Sequence, residues 1–396
     1  MAAATKRTKR IFISDLHLND KRSLEVLPSY NYPYFWISPE RTELLATFLE
    51  KEVLESTDVK ELIILGDLFD QWVVPTIPPP NIDFDAVYNN LQNEGVVENL
   101  NKIIKHPEID VYYTPGNHDL LLDKTAIEKY FPGIHFCEGS QKYVGVYLKD
   151  GIGAEHCNQY NFFCAPNPVP QDNQYLPTGF FLSRYGSEQK AHNMKSPNFL
   201  EILKNFVNNL FKKDKNGNAE FIKKGDAELI KNMMLSVAES VGLKESSLIQ
   251  LDGIGNFDNQ MTVRQVAEMY CDAMTRWDHV KPNGLSAIEA ISTEVTGYSG
   301  FANTQYYKQK KARVIVFGHT HDAMLQGYSV DANGIQHMVE ENGCDYIYAN
   351  SGTWIDNHPC SFIETEIKGN CHYVTWFQYT DDGKKKMEKQ RYIILK

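Results

Sequence analysis

Short apolar runs alternate with amphipathic stretches over the first 160 residues of the chain. Three runs of five residues, rich in Ile, Val, Phe, Leu and Tyr, have the composition of buried β-strands: 10–14 (RIFIS), 61–65 (ELIIL) and 110–114 (DVYYT). Between them lie two helical patterns, one beginning at the capping pair Ser38-Pro39 and one covering about residues 85–105. This alternation of strand and helix predicts a layered α/β fold.

Strand patterns continue after this region and return near the end of the chain. Residues 142–148 and 151–155 are typical of two strands joined by the turn Lys149-Asp150-Gly151. Further strands are expected at 313–317, 345–350, 371–379 and 391–395. We therefore predict that residues 1–165 and 312–396 form one sheet-based catalytic domain.

The middle of the chain has a different pattern. Helical periodicity replaces the strand pattern at 199–210 and 229–237, and Thr262 to Gln265 has the form of a capping box that begins a third helix. Such a length cannot be a bare loop, so residues 166–311 are predicted to be a mainly helical insertion or cap. Its charged residues Arg184, Lys190, His192 and Lys195 are interpreted as solvated, the alternative being contact with a substrate phosphate.

Composition and charge narrow the functional classes. Hydrophobic residues make up 42% and charged residues 23% of the chain, as in globular proteins. The net charge of −11 argues against extended nucleic acid as a partner, because such binding relies on many Lys and Arg contacts to phosphates. No apolar run has the length of a signal peptide or a membrane span, and the seven cysteines form no CxxC pair. These features predict a cytoplasmic protein.

Five polar segments follow predicted strands, where α/β folds place their ligand-binding loops. They are Asp15-Leu16-His17, Gly66-Asp67, Gly116-Asn117-His118-Asp119, Glu155-His156 and Gly318-His319-Thr320-His321. Carboxylate, imidazole and amide ligands together suit Mn, Fe, Co or Zn. In extended backbone, residues i and i+2 point to the same side, so Asp15 and His17 are expected to bind one ion together, as are His319 and His321.

The five segments in this order resemble the pattern of the calcineurin-like metallophosphoesterases: D-x-H, G-D, G-N-H-[DE], a lone His and G-H-x-H. The resemblance covers roughly residues 10–160 and 310–355. It implies two packed mixed β-sheets flanked by helices, a four-layer sandwich. It also implies two metal ions, held as follows: one by Asp15, His17 and His321, the other by Asn117, His156 and His319, with Asp67 bridging both.

The chemistry implied by this resemblance is hydrolysis of a phosphate monoester, diester or pyrophosphate by a hydroxide that bridges two divalent ions. Manganese is expected first, with Fe, Zn or Co as alternatives. We predict that His118 donates a proton to the leaving oxygen and that Asp119 orients its ring, although His118 could instead cap a helix. Asp70 either supports a ligand histidine or caps a helix, and Trp72 lines either a pocket or the core.

Longer runs, ISDLHLND, ILGDLFDQW, EHCNQY and NSGTW, look like those of bacterial enzymes related to the UDP-2,3-diacylglucosamine pyrophosphatases. That subgroup implies a phosphorylated small molecule or a nucleotide- or lipid-linked substrate. The chain departs from it in having His118 in place of Arg, Cys157 in place of Gly and a much longer insertion. Substrate, metal identity and oligomeric state therefore stay open. The alternatives are a nuclease of the same superfamily and a non-catalytic protein-binding scaffold.

Overall fold

Two large mixed β-sheets carry the fold in a computed structural model of the chain. The structure describes residues 7–20, 37–73, 83–170, 174–191, 211–213, 219–221, 228–251, 254, 257–258, 260–340, 342–355 and 358–395. The strands are β1 (Lys9–Ile13), β2 (Val59–Leu65), β3 (Asp110–Thr114), β4 (His135–Phe136), β5 (Tyr147–Lys149), β6 (Ile152–Glu155), β7 (Phe211–Lys213), β8 (Ala219–Phe221), β9 (Leu248–Gln250), β10 (Gln260–Thr262), β11 (Val314–Phe317), β12 (Met324–Val330), β13 (Gln336–Val339), β14 (Tyr346–Asn350), β15 (Ser361–Lys368), β16 (Cys371–Tyr379) and β17 (Lys385–Ile394).

One sheet has the strand order β17-β16-β15-β1-β2-β3-β4 and the other β13-β12-β14-β11-β6-β5. Two short pairs, β7-β8 and β9-β10, lie apart from them. Neighbouring strands β1, β2 and β3 run parallel, as do β6, β11 and β14. Strand β4 is also parallel to β3, so the first sheet presents the carboxyl ends of four parallel strands at one edge and the second sheet presents three.

Helices cover the outer faces of the sheets and fill the middle of the chain. They are α1 (Pro39–Phe48), α2 (Phe84–Tyr88), α3 (Glu94–Ile104), α4 (Lys124–Tyr130), α5 (Thr178–Ala191), α6 (Leu229–Ser240), α7 (Val263–Met269), α8 (Ala273–Val280), α9 (Ala287–Thr296) and α10 (Ser299–Phe301). Two π-helical segments, Leu49–Leu54 and Ala302–Lys308, extend α1 and α10. Within the described part of the chain, no helix combines the length and the apolar character that crossing a membrane requires.

Alternating residues of each central strand belong to different layers. In β1, Ile11 and Ile13 pack against the helices of the N-terminal region, whereas Phe12 packs between the two sheets. In β11, Val316 packs between the sheets and Ile315 faces the outer layer around Tyr306. The predicted fold class, two packed mixed sheets flanked by helices, is confirmed.

The prediction of one continuous helix over residues 85–105 is wrong. The chain forms α2, a 3₁₀ turn at Leu91–Asn93 and then α3. The break occurs because Asn90 caps the turn with its side chain, while Asn93 Nδ2 donates hydrogen bonds to the carbonyls of Asn19 and Val87. Apolar periodicity alone does not register such side-chain bonds.

Strand boundaries also differ from the prediction. In place of the strand expected at 142–148, the structure has only the three-residue strand β5. Its hairpin turn consists of Asp150 and Gly151, which have φ values of 52° and 74°. Strand β17 begins at Lys385 rather than at residue 391, and it is an edge strand whose first half is rich in lysine and only partly buried. Strands β12, β13 and β15 were not predicted. Polar residues interrupt the apolar residues of these strands, for example at Gln326 in β12 and Glu364 in β15, so a search for apolar runs does not find them.

The central segment, residues 166–311, contains helices α5 to α10 and the two short strand pairs. The capping box at Thr262 is confirmed, but its helix ends at Met269, and α8 follows after a break. The helix predicted at 199–210 lies outside the described residues. Buried side chains of these helices form a core of their own, which also includes Trp72 and Leu120. The division into a catalytic domain and an insertion stays a prediction.

A buried charged cluster joins the two sheets at the end of β2 away from the polar loops. Glu61 accepts hydrogen bonds from Arg10 Nε at 2.7 Å, from Tyr147 Oη at 2.5 Å and from Lys149 Nζ at 2.8 Å. Arg10 and Glu61 are almost completely buried, and Arg10 also contacts Asp150. Because Arg10 and Glu61 belong to one sheet and Tyr147 and Lys149 to the other, the cluster connects the sheets.

Replacing Glu61 with Ala is expected to lower the free energy of unfolding by about 3 kcal/mol, because it leaves a buried guanidinium without its main partner. Urea denaturation measures this change. Glu98→Ala is the matched control, since Glu98 pairs with Lys102 on the surface at 3.0 Å, where such a pair contributes about 0–1 kcal/mol. Equal small effects for both variants would contradict the role of the cluster.

Candidate metal centre

All the residues predicted for the site lie in loops at the carboxyl ends of parallel strands. The loop after β1 carries Asp15 and His17, and the loop after β2 carries Asp67. The remaining predicted residues follow β3, β6 and β11: Asn117, His118, Asp119, His156, His319 and His321. Strands from both sheets therefore contribute to one place, as expected for α/β folds.

The backbone of these loops is not extended, so that part of the prediction is wrong. Positive φ angles occur at Asp15 (55°), His17 (47°), Asp67 (52°), His319 (72°) and His321 (62°). Each such residue costs roughly 1 kcal/mol or more, which the surrounding structure must offset. The left-handed turns bring side chains and backbone donors together, and the His319 amide donates to Asp15 Oδ2 at 2.9 Å.

The first group of predicted ligands consists of Asp15, His17 and His321. His321 Nε2 lies 3.2 Å from Asp15 Oδ1 and 3.2 Å from His17 Nε2. Asp15 Oδ1 is buried and accepts no hydrogen bond of good geometry from the residues that the structure describes. A buried carboxylate oxygen and two imidazole nitrogens that converge in this way fit a divalent cation, whose positive charge would stabilise all three.

The second group consists of Asp67, Asn117, His156 and His319. His156 Nε2 lies 3.2 Å from Asp67 Oδ2 and 3.1 Å from Asn117 Oδ1, and the rings of His156 and His319 are 5.0 Å apart. His156 Nδ1 lies 2.7 Å from the Leu65 carbonyl. This bond places the proton on Nδ1 and leaves Nε2 as a ligand atom.

Asp67 lies between the two groups. Its Oδ2 atom is 3.2 Å from His156 Nε2 in one group and 3.8 Å from His17 Nε2 in the other. Gly116 allows this position, because a Cβ atom there would lie 2.1 Å from Asp67 Oδ1. Asp67 therefore lies close to histidines from both groups, and its role as a bridge between two ions stays a prediction.

The electrostatics of the metal-free site are those of closely spaced opposite charges. Burial works to raise the pKa of Asp15, but His156 and His321 outweigh it and hold that pKa at about 2. Burial works to lower the pKa of His156, but Asp67 and Asp15 raise it to about 10. Burial and the charge of His156 together lower the pKa of His319 to about 3. The carboxylates thus stay ionised and attract positive charge.

His118 lies beside these groups and faces Asp70. The Nδ1 atoms of His118 and His17 each lie 3.0 Å from Asp70 Oδ2. The ring of Trp72 stacks on His118 with centroids 4.7 Å apart and planes at 22°. Burial works to lower the pKa of His118, but Asp70 and Asp67 outweigh it and raise that pKa to about 9. Asp70 therefore supports two histidines at once.

Asp119 does not contact the His118 ring as predicted. Its carboxylate accepts hydrogen bonds from the amides of Gly116 at 2.7 Å and Leu68 at 2.7 Å, so it holds the ligand loops together. The expectation that Asp119 orients the His118 ring is wrong, because Asp70 occupies that place. The helix-cap alternative for His118 also fails, since the next helix begins at Lys124 and is capped by Asp123.

A cavity of about 730 Å³ opens onto the candidate site. Five of the predicted ligands and His118 line it, and so do Phe163, Leu182, Ser183 and Tyr298. Leu182, Ser183 and Tyr298 belong to the central segment, which therefore shapes the space next to the site.

Some residues near the site were misread or missed in the sequence. Arg184 is fully buried, so its interpretation as a solvated charge is wrong. The side chains of Lys190, His192 and Lys195 lie outside the described residues. His358, which has no motif around it, lies with its ring 5.9 Å from that of His321. Only a structure could place these two residues.

Cys157 adopts a conformation that favours glycine. Its φ angle is 78°, and its side chain is buried, with Sγ 3.6 Å from the Gly318 carbonyl. The thiol thus fits at this position despite the backbone strain. The departure from Gly leaves His156 pointing into the site.

A family model described as calcineurin-like phosphoesterase matches residues 8–323. Two curated relatives, both UDP-2,3-diacylglucosamine hydrolases from strains of Stenotrophomonas maltophilia, are 32% and 31% identical over 112 residues. This match covers 28% of the chain and 33% of each relative. The chain thus spans about a third of the length of the curated relatives it matches.

Solved structures overlap with the chain at low similarity. Vacuolar protein sorting 29 from Cryptosporidium parvum has a TM-score of 0.34 and 13% identity, with 98% of each chain covered. GAP50 of Plasmodium has a TM-score of 0.34 and 9% identity, covering 98% of this chain and 89% of that one. A putative 5'-nucleotidase from Staphylococcus aureus has a TM-score of 0.27 and 10% identity, covering 98% and 54%.

Proposed function

We propose that this chain, which belongs to the calcineurin-like phosphoesterase family, hydrolyses phosphate esters with the help of two divalent metal ions. The observation that carries the proposal is the convergence of two ligand groups on Asp67. Asp15, His17 and His321 would hold one ion. The other would be held by residues on the far side of the bridge: Asn117, His156 and His319. Manganese is our first choice, with Fe, Zn or Co as alternatives.

When bound, such ions lower the pKa of water and neutralise charge on phosphoryl oxygens. The protein's own side chains would position the substrate and protonate its leaving oxygen. His118 is our candidate to protonate the leaving oxygen, because Asp70 binds its Nδ1 side and leaves Nε2 for the substrate. Asp70 also fixes His17, so one carboxylate aligns a proton donor with a metal ligand.

The cavity favours a small substrate. Its volume of about 730 Å³ is in the range of small-molecule sites, and the central segment encloses one side of it. The curated relatives are named for hydrolysis of UDP-2,3-diacylglucosamine, so we include nucleotide- and lipid-linked phosphoesters among the candidates. Extended nucleic acid remains disfavoured by the net charge of −11. We also keep the cytoplasmic location as a proposal, since no disulfide joins the seven cysteines, all of which are described.

Metal content and hydrolysis test the proposal together. Protein loaded with Mn²⁺ is expected to carry about two ions per chain and to hydrolyse at least one of three p-nitrophenyl substrates, namely a phosphomonoester, a phosphodiester and a nucleotide pyrophosphate. Chelation is expected to abolish the activity and added Mn²⁺ to restore it.

His337→Ala serves as the control, because His337 is exposed and pairs only with Asp331 among the described residues. Its metal content and activity should equal those of the wild type. Fewer than about one ion per chain together with no hydrolysis would contradict the proposal and favour a non-catalytic scaffold.

A further inference from the structure

Helix α5 of the central segment packs behind the loop that carries Asp70 and Trp72. Arg184 of this helix is fully buried and donates a hydrogen bond from Nη2 to the Gln71 carbonyl at 2.8 Å. Its guanidinium carbon lies 4.3 Å from the centroid of the Phe180 ring, a cation–π distance. The guanidinium therefore fixes both the backbone between Asp70 and Trp72 and an aromatic ring next to it.

A row of aromatic rings leads from Phe180 to the candidate proton donor. The Phe180 ring meets the Trp72 ring edge to face, with centroids 6.2 Å apart and planes at 87°. The Trp72 ring in turn stacks on His118. Arg184 is thus connected to the His118 ring by successive contacts through Phe180 and Trp72. It is connected to Asp70 by its hydrogen bond to the adjacent Gln71 backbone.

Gly179 permits the close approach of α5 to this loop. A Cβ atom at Gly179 would lie 2.3 Å from the Phe163 carbonyl oxygen and 3.1 Å from Cζ3 of Trp72. Any larger residue would push the helix away from Trp72 or push Trp72 towards His118. The contact therefore depends on a residue without a side chain.

Burying the Arg184 guanidinium costs desolvation free energy unless partners stabilise its charge. Fully buried arginines are rare, because desolvation of the cation is only partly offset by its partners. Burial lowers the pKa of Arg184 to about 9, and the carboxylates of Asp70 and Asp20 limit that decrease. An apolar side chain of similar length would fill the same space without this cost, which indicates a role for the guanidinium itself.

We propose that Arg184 is a positioning residue for His118. By holding the Gln71 carbonyl and Phe180, it keeps Trp72 stacked on His118 and keeps the imidazole aimed at the leaving oxygen. The proposal rests on the proposed function, because it assigns the central segment a part in the same reaction. It also gives that segment a role besides enclosing the substrate.

A matched pair of phosphodiesters tests this role, one releasing p-nitrophenolate and one releasing an alkoxide. Only the alkoxide needs a proton from His118 in order to leave. Arg184→Met is expected to reduce kcat for the alkyl ester by about 100-fold, since misplacement of a catalytic group by about 1 Å has an effect of this size. For the p-nitrophenyl ester we expect a decrease of less than about threefold, with KM and metal content unchanged.

Three further variants make the result specific. Arg184→Lys keeps the charge and one donor, so it is expected to recover part of the lost kcat. In a His118→Ala background, Arg184→Met should cause no further loss with the alkyl ester, because both changes remove the same step. Arg264→Met is the control, since Arg264 lies in the same segment but is half-exposed. It should behave as the wild type.

Each other outcome decides against the inference. Equal losses with both esters, or a loss of bound metal, would assign Arg184 a purely structural role. An unchanged kcat for the alkyl ester would show that Arg184 has no role in positioning His118. If Arg184→Met does not fold, Gly179→Ala replaces it and must show the same dependence on the leaving group. If the wild type hydrolyses only monoesters or pyrophosphates, the matched pair of leaving groups is taken from that class. A wild type that hydrolyses none of the three classes refutes the proposed function, whereas an active wild type that depends on His118 but not on Arg184 refutes only this inference.

Discussion

Replacing Asp67 with Asn is expected to reduce kcat/KM by about 1000-fold and to lower the metal content to one ion per chain or less. The reason is the position of Asp67 Oδ2, which lies 3.2 Å from His156 Nε2 and 3.8 Å from His17 Nε2. A neutral amide has the same size but a much weaker attraction for two cations at once. Elemental analysis and steady-state kinetics measure the two effects.

Asp331→Asn is the matched control for this change. Asp331 is an aspartate that follows strand β12 and pairs with His337 on the surface, and it is not among the predicted ligands. Its replacement should leave metal content and kcat/KM at wild-type values. An Asp67→Asn protein that keeps two ions and most of its activity would exclude a bridging role for Asp67.

Replacing His118 with Ala is expected to separate catalysis from metal binding. We expect kcat for an alkyl phosphodiester to decrease by roughly 10²- to 10⁴-fold, the usual contribution of general acid catalysis. Metal content should stay the same, because the seven predicted ligands do not include His118. The p-nitrophenyl ester should be affected much less, because its leaving group departs as a stable anion.

His358→Ala tests whether any histidine near the site would give this result. His358 lies next to His321 but has no contact with Asp70 among the described residues. Its replacement should not change the ratio of the two rates. Unchanged turnover of the alkyl ester by His118→Ala would rule out His118 as the proton donor.

The positions of the site residues could be predicted because each follows an apolar strand at a short, fixed spacing. The apolar run of β1, for example, predicts a buried strand that ends just before Asp15. Their conformation could not be predicted in the same way. Positive φ angles at Asp15 and His321 depend on contacts between the two sheets, which local sequence does not encode.

Residues that are adjacent in the sequence are not always the ones in contact in the structure. Asp119 directly follows His118, yet its carboxylate binds backbone amides, whereas Asp70 contacts the imidazole from 48 positions away in the chain. The burial of Arg184 was hidden for a similar reason, because its partner Gln71 is 113 residues distant. Charged residues are usually exposed, so composition favoured the wrong interpretation.

The ligand groups have a mechanical consequence for the sandwich. Asp15 and His17 come from one sheet and His321 from the other, and likewise Asp67 faces His156 across the sheets. Each bound ion would therefore act as a cross-link between the sheets at one end, while the cluster around Glu61 fastens the other end. Because no predicted ligand belongs to the central segment, substitutions there are expected to alter the cavity wall without removing a ligand from either group.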